Sequence, residues 1–149
     1  MKGRILVWPL VIALALALLA QTDRWRDRML ASRLLRQVEI LSNQAIAAGR
    51  APRGLMASNL EALRRAAALD PVEIGIPIAR GSQFLLLGSP QSAIDSYREA
   101  ERLEPRPETH MNLGRALLMT GEVEEARRQF ALGVRLDPRL AAEVPAAAR

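Results

Sequence analysis

The sequence predicts an all-α fold: an α-solenoid of helix-turn-helix repeats preceded by a single transmembrane helix. Three observations carry that prediction. A set of glycine, alanine, aromatic and proline residues recurs at a spacing of 33 between residues 81 and 138. No glycine or proline interrupts the stretch from Leu10 to Ala48, and an uncharged apolar run stands near the N-terminus between two groups of basic residues.

The 149 residues are 50% hydrophobic and 25% charged, a balance that suits a folded chain and argues against wholesale disorder. There is no cysteine, which excludes disulfides, thiolate metal sites and cysteine nucleophiles. One histidine, His110, supplies neither a zinc ligand set nor an acid–base pair on its own. No phosphate-binding glycine loop, nucleophile elbow or metal-ligand spacing occurs, so neither an enzyme nor a cofactor or small-molecule substrate is expected.

The net charge of +5 is local. Lys2, Arg4, Arg24, Arg26, Arg28, Arg33 and Arg36 stand against Asp23 and Asp27, which leaves +5 in residues 1–36, while residues 37–149 balance fourteen Arg against fourteen acidic residues. The basic excess therefore marks the N-terminal segment and offers no nucleic-acid surface on the main domain.

Residues 1–4 form a cationic tail, followed at 5–22 by the expected transmembrane helix or signal anchor. Eighteen helical residues span roughly 27 Å at ~1.5 Å each, close to the ~30 Å of a bilayer's hydrocarbon. Trp8 and Trp25 fall near the two ends of that run, where indoles favour the headgroup interface. Pro9 falls in the first turn, where a missing N–H costs little. A cleaved export signal, cut after Ala20, and a buried soluble helix are the competing readings. Residues 23–36 then read as a basic juxtamembrane helix, with Arg24, Arg26 and Arg28 placed to meet anionic headgroups. Both flanks of the run are basic, so orientation rests on form. A short cationic tail before an apolar run resembles an export signal, which favours a periplasmic repeat domain, with the cytoplasmic side as the alternative. Heavy use of Arg over Lys and abundant alanine suit a bacterial inner-membrane protein, single-pass.

The repeats follow. Gly81, Gly88, Ala93, Tyr97, Ala100, Leu103 and Pro105 recur as Gly114, Gly121, Ala126, Phe130, Gly133, Leu136 and Pro138. A weaker copy precedes them, in which Leu60, Leu63, Ala66, Leu69, Asp70 and Pro71 align at a spacing of 34 with residues 94–105. The units are 37–71, which is degenerate, then 74–105 and 107–138, each closed by an acidic residue and a proline that cannot continue a helix. Helices are expected over residues 77–87, 90–103, 108–120 and 122–136, with Gly88 and Gly121 breaking each pair and Ser89 available as a cap. Residues 139–149 form a C-terminal tail too short to be a full solvating helix, which leaves the last unit open to a partner, a second copy or the tail itself.

These units resemble the tetratricopeptide repeat family. The likeness rests on the small residue of the first helix (Gly81, Gly114), the Ala-x-x-x-aromatic step of the second (Ala93 with Tyr97, Ala126 with Phe130) and the closing Pro105 and Pro138. The chain departs from the family pattern at Arg80, where leucine is usual, and in the first unit, where Ser42 stands in line with Gly81 and about five extra residues, Arg50–Gly54, precede the second helix. The resemblance implies a groove lined by the first helices that holds a segment of another protein. Carried onto the two well-matched units, the groove residues are Ile78, Ser82, Leu85, Leu86, Met111, Arg115, Leu118 and Met119, a mainly apolar set with one cation for a partner's carboxylate. The expected function is a membrane-anchored scaffold for protein–protein interaction in a bacterial membrane or envelope assembly. The alternatives are a small structural accessory subunit of a large membrane complex, or a soluble periplasmic repeat protein after signal cleavage. Expected partners are another protein, membrane lipid and, through the terminal repeat, a second copy.

Overall fold

The computed structural model describes residues 7–49 and 52–148, the side chains of Val7 and Trp8 excepted. The expected cationic tail and the Trp8 anchor lie outside what is described. Helices α1 (Val7–Ala47), α2 (Arg53–Leu69), α3 (Gly75–Leu86), α4 (Pro90–Leu103), α5 (Pro107–Thr120) and α6 (Val123–Leu136) are followed by 3-10 turns over Pro138–Glu143 and Ala146–Ala148. Each helix packs on the next in chain order, and α1 also touches α3. The result is three helical hairpins stacked side by side, with α1, α3 and α5 as the first helix of each.

The local chemistry at the turns explains why the hairpins form. Gly88 and Gly121 adopt positive φ (71° and 83°), and in each case two amides fold back onto the helix just ended. Gly88 N donates to Leu85 O at 3.0 Å and Ser89 N to Phe84 O at 2.8 Å; Gly121 N donates to Leu118 O at 3.2 Å and Glu122 N to Leu117 O at 3.0 Å. This paired closure satisfies carbonyls left over at the helix end and reverses the chain. Ser89, expected as a side-chain cap, makes no capping hydrogen bond, because the glycine closure already sets the turn and Pro90 opens α4 without needing its N–H. The extra residues of the first unit are partly absorbed into helix: α2 begins at Arg53 and runs for 17 residues, against 14 in α4 and α6.

Close approach within a hairpin depends on missing side chains. A Cβ on Gly81 would lie 2.6 Å from Tyr97 Cε1, and one on Gly114 would lie 2.9 Å from Phe130 Cε1. Each ring thus occupies the volume a side chain would take, and both rings are buried. One core joins Ala93, Ile94 and Tyr97 of α4 to Leu113, Ala116 and Leu117 of α5 and to Ala126 and Phe130 of α6. A second joins Ala31 and Val38 of α1 to Leu63 and Ala66 of α2 and Ile76 of α3. Each fully buried Leu, Ile or Phe contributes about 1.5–3 kcal/mol. Arg80, the family departure, reaches across its hairpin to Ser96 Oγ (3.2 Å) and Glu99 Oε2 (2.5 Å).

The first hairpin meets the second through polar groups as well as through this apolar core. Ser42 Oγ donates to Val38 O at 2.7 Å and accepts from Asn59 Nδ2 at 3.2 Å and Gln83 Nε2 at 2.9 Å, while Asn59 Nδ2 also donates to Gln83 Oε1 at 3.1 Å. All three side chains are buried, and they tie α1, α2 and α3 together at one point. Buried amides with partners rigidify a core; without partners they are costly.

The tail closes the last hairpin. Ala148 is buried, and Leu140 and Val144 pack against the core of α4–α6. Asp137 accepts from Arg139 N at 3.0 Å and pairs with the Arg139 guanidinium, which holds its carboxyl below the usual range. The tail thus covers part of the terminal face, beside a cleft lined by Phe130, Val134, Ala141 and Val144.

The expected transmembrane helix at residues 5–22 begins outside the described residues. Among the described residues no helix is long and apolar enough to cross a membrane. The described part of the uncharged run, residues 7–20, is fourteen residues, roughly 21 Å of helix at ~1.5 Å per residue, before Gln21, Thr22 and Asp23. It is part of one unbroken 41-residue helix whose residues 9–26 are all exposed and whose burial against α2 starts at Ala31.

Removing Asn59 tests the polar junction. Asn59→Leu strands the Gln83 carbonyl in the interior, and unfolding in urea is expected to show a loss of about 1–3 kcal/mol. A variant as stable as the parent would contradict a structural role for these three side chains.

Candidate docking face

The inner helices place the expected groove residues unequally. Ile78, Ser82 and Leu86 recur every four residues along α3, so they share one face, and all three line a cleft of about 360 Å³ between α3 and α1. Ser82 Oγ donates to Ile78 O and lies 3.2 Å from the Tyr97 hydroxyl, whose pKa is raised by burial. Met119 is 56% exposed on the last turn of α5. Met111 is only 2% exposed and points at its own hairpin partner, its sulfur standing 3.0 Å from where a Cβ on Gly133 would be. Leu85 and Leu118 are half-buried against the core of α4–α6. Met111, Leu85 and Leu118 thus serve as interior packing, and Ile78, while lining the cleft, packs partly against the same core.

Arg115 is also engaged. Its guanidinium donates to Asn112 Oδ1 at 2.9 Å and to Glu143 Oε2 of the tail at 2.8 Å. The carboxylate expected from a partner is supplied by this chain.

Sequence reasoning missed the opposite wall. Val38, Glu39, Ser42, Asn43 and Ile46 of α1 face α3 across the cleft. The signal was present: aligning Ser42 with Gly81 sets a spacing of 39 that carries Ile78, Ser82 and Leu85 onto Glu39, Asn43 and Ile46. Ile46 is 57% and Leu86 36% exposed, so the walls present apolar surface to solvent. Arg106 stands at the rim, where Glu104 accepts from both its Nε and Nη2 at 2.9 Å. That pairing raises the guanidinium pKa and lowers that of the carboxyl.

His110 does not reach this face. It is buried between α4 and α6, its Nδ1 2.8 Å from Gln129 Oε1 and 3.4 Å from Glu101 Oε1. No group of three or more His, Cys, Asp or Glu among the described residues is placed to hold a metal ion.

The residues expected at a membrane interface lie on α1. Trp25 is 66% exposed and Arg24 is exposed, while Arg26 sits 4.0 Å from Asp23 in an exposed pair. Arg28, also exposed, lies with its Nε 3.9 Å from the Asp70 carboxylate at the end of α2. One of the three arginines thus lies within ion-pair range of the other helix of the first hairpin.

Comparison with known proteins addresses the fold. No protein-family model matches the chain, and no curated protein sequence does. Among solved structures, the first TPR domain of Spaghetti (RPAP3) bound to the HSP90 peptide SRMEEVD is similar, with a TM-score of 0.65 and 17% identity over 81% of this chain and 86% of that one. The Yersinia enterocolitica type III secretion chaperone SycD, in complex with a peptide of the translocator YopD, matches with a TM-score of 0.63 and 19% identity over 76% of this chain and 88% of its own. A thermophilic TPR protein of Thermus thermophilus matches with a TM-score of 0.60 and 24% identity over 88% and 68%. At these identities the likeness concerns architecture alone, and together with the glycine–aromatic hairpins it establishes that this chain has the fold of tetratricopeptide-repeat proteins.

Proposed function

We propose that the chain is a scaffold that docks a segment of another protein on the inner face of its repeats, within a bacterial membrane or envelope assembly. The observation that carries the reading is the cleft between α1 and α3, whose walls keep Ile46 and Leu86 partly exposed where burial on a neighbouring helix would be the ordinary outcome. Two structures of similar fold hold peptides of other proteins, which supports docking as the use of this face. The chemistry required is binding only: apolar burial supplies the affinity, and the Ser42–Asn59–Gln83 junction keeps the cleft's walls from collapsing onto each other.

The membrane setting is supported by the start of α1. Leu10, Ile12, Leu14, Leu16, Leu18 and Leu19 are all exposed there, ahead of Trp25 and the exposed Arg24 and Arg26. Such an end, buried in lipid, would hold the repeats against the bilayer and raise their local concentration near membrane partners. The repeats are proposed to face the periplasm from the inner membrane.

Two experiments test this. Ile46→Glu and Leu86→Glu place a charge on exposed wall positions, so both variants should keep the helical circular-dichroism spectrum while affinity for the protein captured from detergent-solubilised membranes drops by at least about tenfold, roughly 1.4 kcal/mol. The control Arg127→Glu, on α6, should bind normally. Undiminished capture by both wall variants would rule the cleft out as the docking face. For the membrane, carbonate extraction should leave the full chain in the pellet; recovery in the soluble fraction would contradict lipid attachment.

A further inference from the structure

After α6 the chain begins a fourth unit that does not become an α-helix. Glu104, Pro105 and Arg106, which lead into α5, recur at a spacing of 33 as Asp137, Pro138 and Arg139, which lead into the tail. In both places the arginine pairs with the acidic residue two positions before it. From there the copies diverge. Pro145 takes the register of Asn112 inside α5 and blocks an α-helix, so the tail forms two short 3-10 turns. Where α5 buries seven residues, the described tail buries Ala148 alone.

The surface under the tail suits a fuller cover. A step of 33 from α4 to α6 turns Arg98 and Glu101 into Ala131 and Val134, so the last α-helix among the described residues presents the more apolar face. An end repeat left to solvent calls for the reverse. Phe130, Ala131 and Val134 line a cleft of about 580 Å³ against Ala141, Val144 and Ala148 of the tail. Glu143 of the tail reaches α5, where it accepts from Arg115 Nη2 at 2.8 Å. Around this end Arg127 pairs with Glu124 on α6 and Arg139 with Asp137, while Glu108, at the start of α5, acts on Arg139 through space. Arg135, next to Val134, is exposed and unpaired among the described residues. Lifting the tail therefore frees a cation, Arg115, beside an apolar cleft.

We propose that this end of the stack docks an amphipathic helix of another protein, standing where the first helix of a fourth unit would stand, and that the tail holds the place until it arrives. The helix offers apolar side chains to Ala131 and Val134 and a carboxylate to Arg115, as Leu140, Val144 and Glu143 of the tail pack on the core and pair with Arg115 in its absence. The tail is displaceable because its own hold is slight. Leu140 N donates to Asp137 O, Val144 N to Ala141 O and Ala148 N to Pro145 O, bonds that close within the tail. The Arg115–Glu143 pair is exposed on both sides and correspondingly weak. This surface is separate from the α1–α3 cleft, and it does not depend on docking there.

The experiment uses the full chain in detergent with Ala147→Cys, an exposed tail position and the chain's single cysteine, carrying a nitroxide that reports whether the tail is seated. The probes are two capped, fluorescent, alanine-based helical peptides with Leu at steps of three and four, one with a Glu flanking the leucines and the other with Lys in its place. Anisotropy at low salt is expected to show the glutamate peptide binding at least about threefold more tightly, as an exposed ion pair allows, and the nitroxide should gain mobility as that peptide binds. Glu143→Gln, which loosens the tail and frees Arg115, should tighten the glutamate peptide by a further factor of about three. Val134→Glu should abolish binding while the helical circular-dichroism spectrum is kept. Equal or tighter binding of the lysine peptide, binding of neither, a nitroxide that stays restrained with peptide bound, or no gain in Glu143→Gln overturns the proposal. So does binding that survives Val134→Glu; if it is then lost in Ile46→Glu, the peptide sits in the α1–α3 cleft and the docking reading stands. Sedimentation of the chain alone as a dimer that Val134→Glu breaks would make a second copy the occupant and overturn the proposal as well.

Discussion

The constraint on which the repeat stack depends is the contact between a bare backbone and a ring. Tyr97 lies where a side chain on Gly81 would be, and Phe130 does the same to Gly114. These contacts bring the two helices of a hairpin close enough for the alanines at 93, 100, 116 and 126 to be fully buried. They also turn the remaining side chains of α3 and α5 into two sets: one set faces the partner helix, and the other is left on the inner surface. The cleft is a by-product of that division. Widening a hairpin by even one methyl group would move Ile78 and Leu86 relative to the wall formed by α1.

The first hairpin reaches the same arrangement by different chemistry. Ser42 occupies the register position of Gly81 and Gly114, and it carries a hydroxyl that both Asn59 and Gln83 use. A polar junction of this kind adds little net stability when satisfied and costs a great deal when broken, so it acts chiefly to specify which side chains meet. It stands beneath the cleft, where specification matters most. Thr109 is the contrasting case: its hydroxyl is buried and without a hydrogen-bond partner, on the first turn of α5, away from the cleft.

Helices α3 to α6 were readable to within two residues because their signals are local: Gly88 and Gly121 end helices, Pro90 and Pro107 start them, and Asp or Glu with Pro closes each unit. The continuity of α1 was equally plain from the absence of glycine and proline between Leu10 and Ala48. The Ser42–Gln83 contact joins residues 41 apart and leaves no periodic trace. The docking face was half legible. Both faces of α5 are apolar, so periodicity could not tell Met111, which turns to α6, from Met119, which faces solvent. Arg115 appeared free because Glu143, which neutralises it, sits 28 residues away in a tail with no repeat register.

The function that follows is one of geometry more than of reactive groups. A stack of hairpins holds a largely apolar cleft open between α1 and α3, the tail packs on the last hairpin, and the start of α1 stands exposed. The whole arrangement presupposes that ring and glycine are matched. A double-mutant cycle on Gly81→Ala and Tyr97→Leu, followed by denaturant unfolding, measures that match directly. Strong coupling is predicted, with the added methyl costing far less once the ring is gone and a coupling energy of about 1–3 kcal/mol. Additive effects of the two substitutions would contradict the match, and with it the derivation of the cleft from close helix approach.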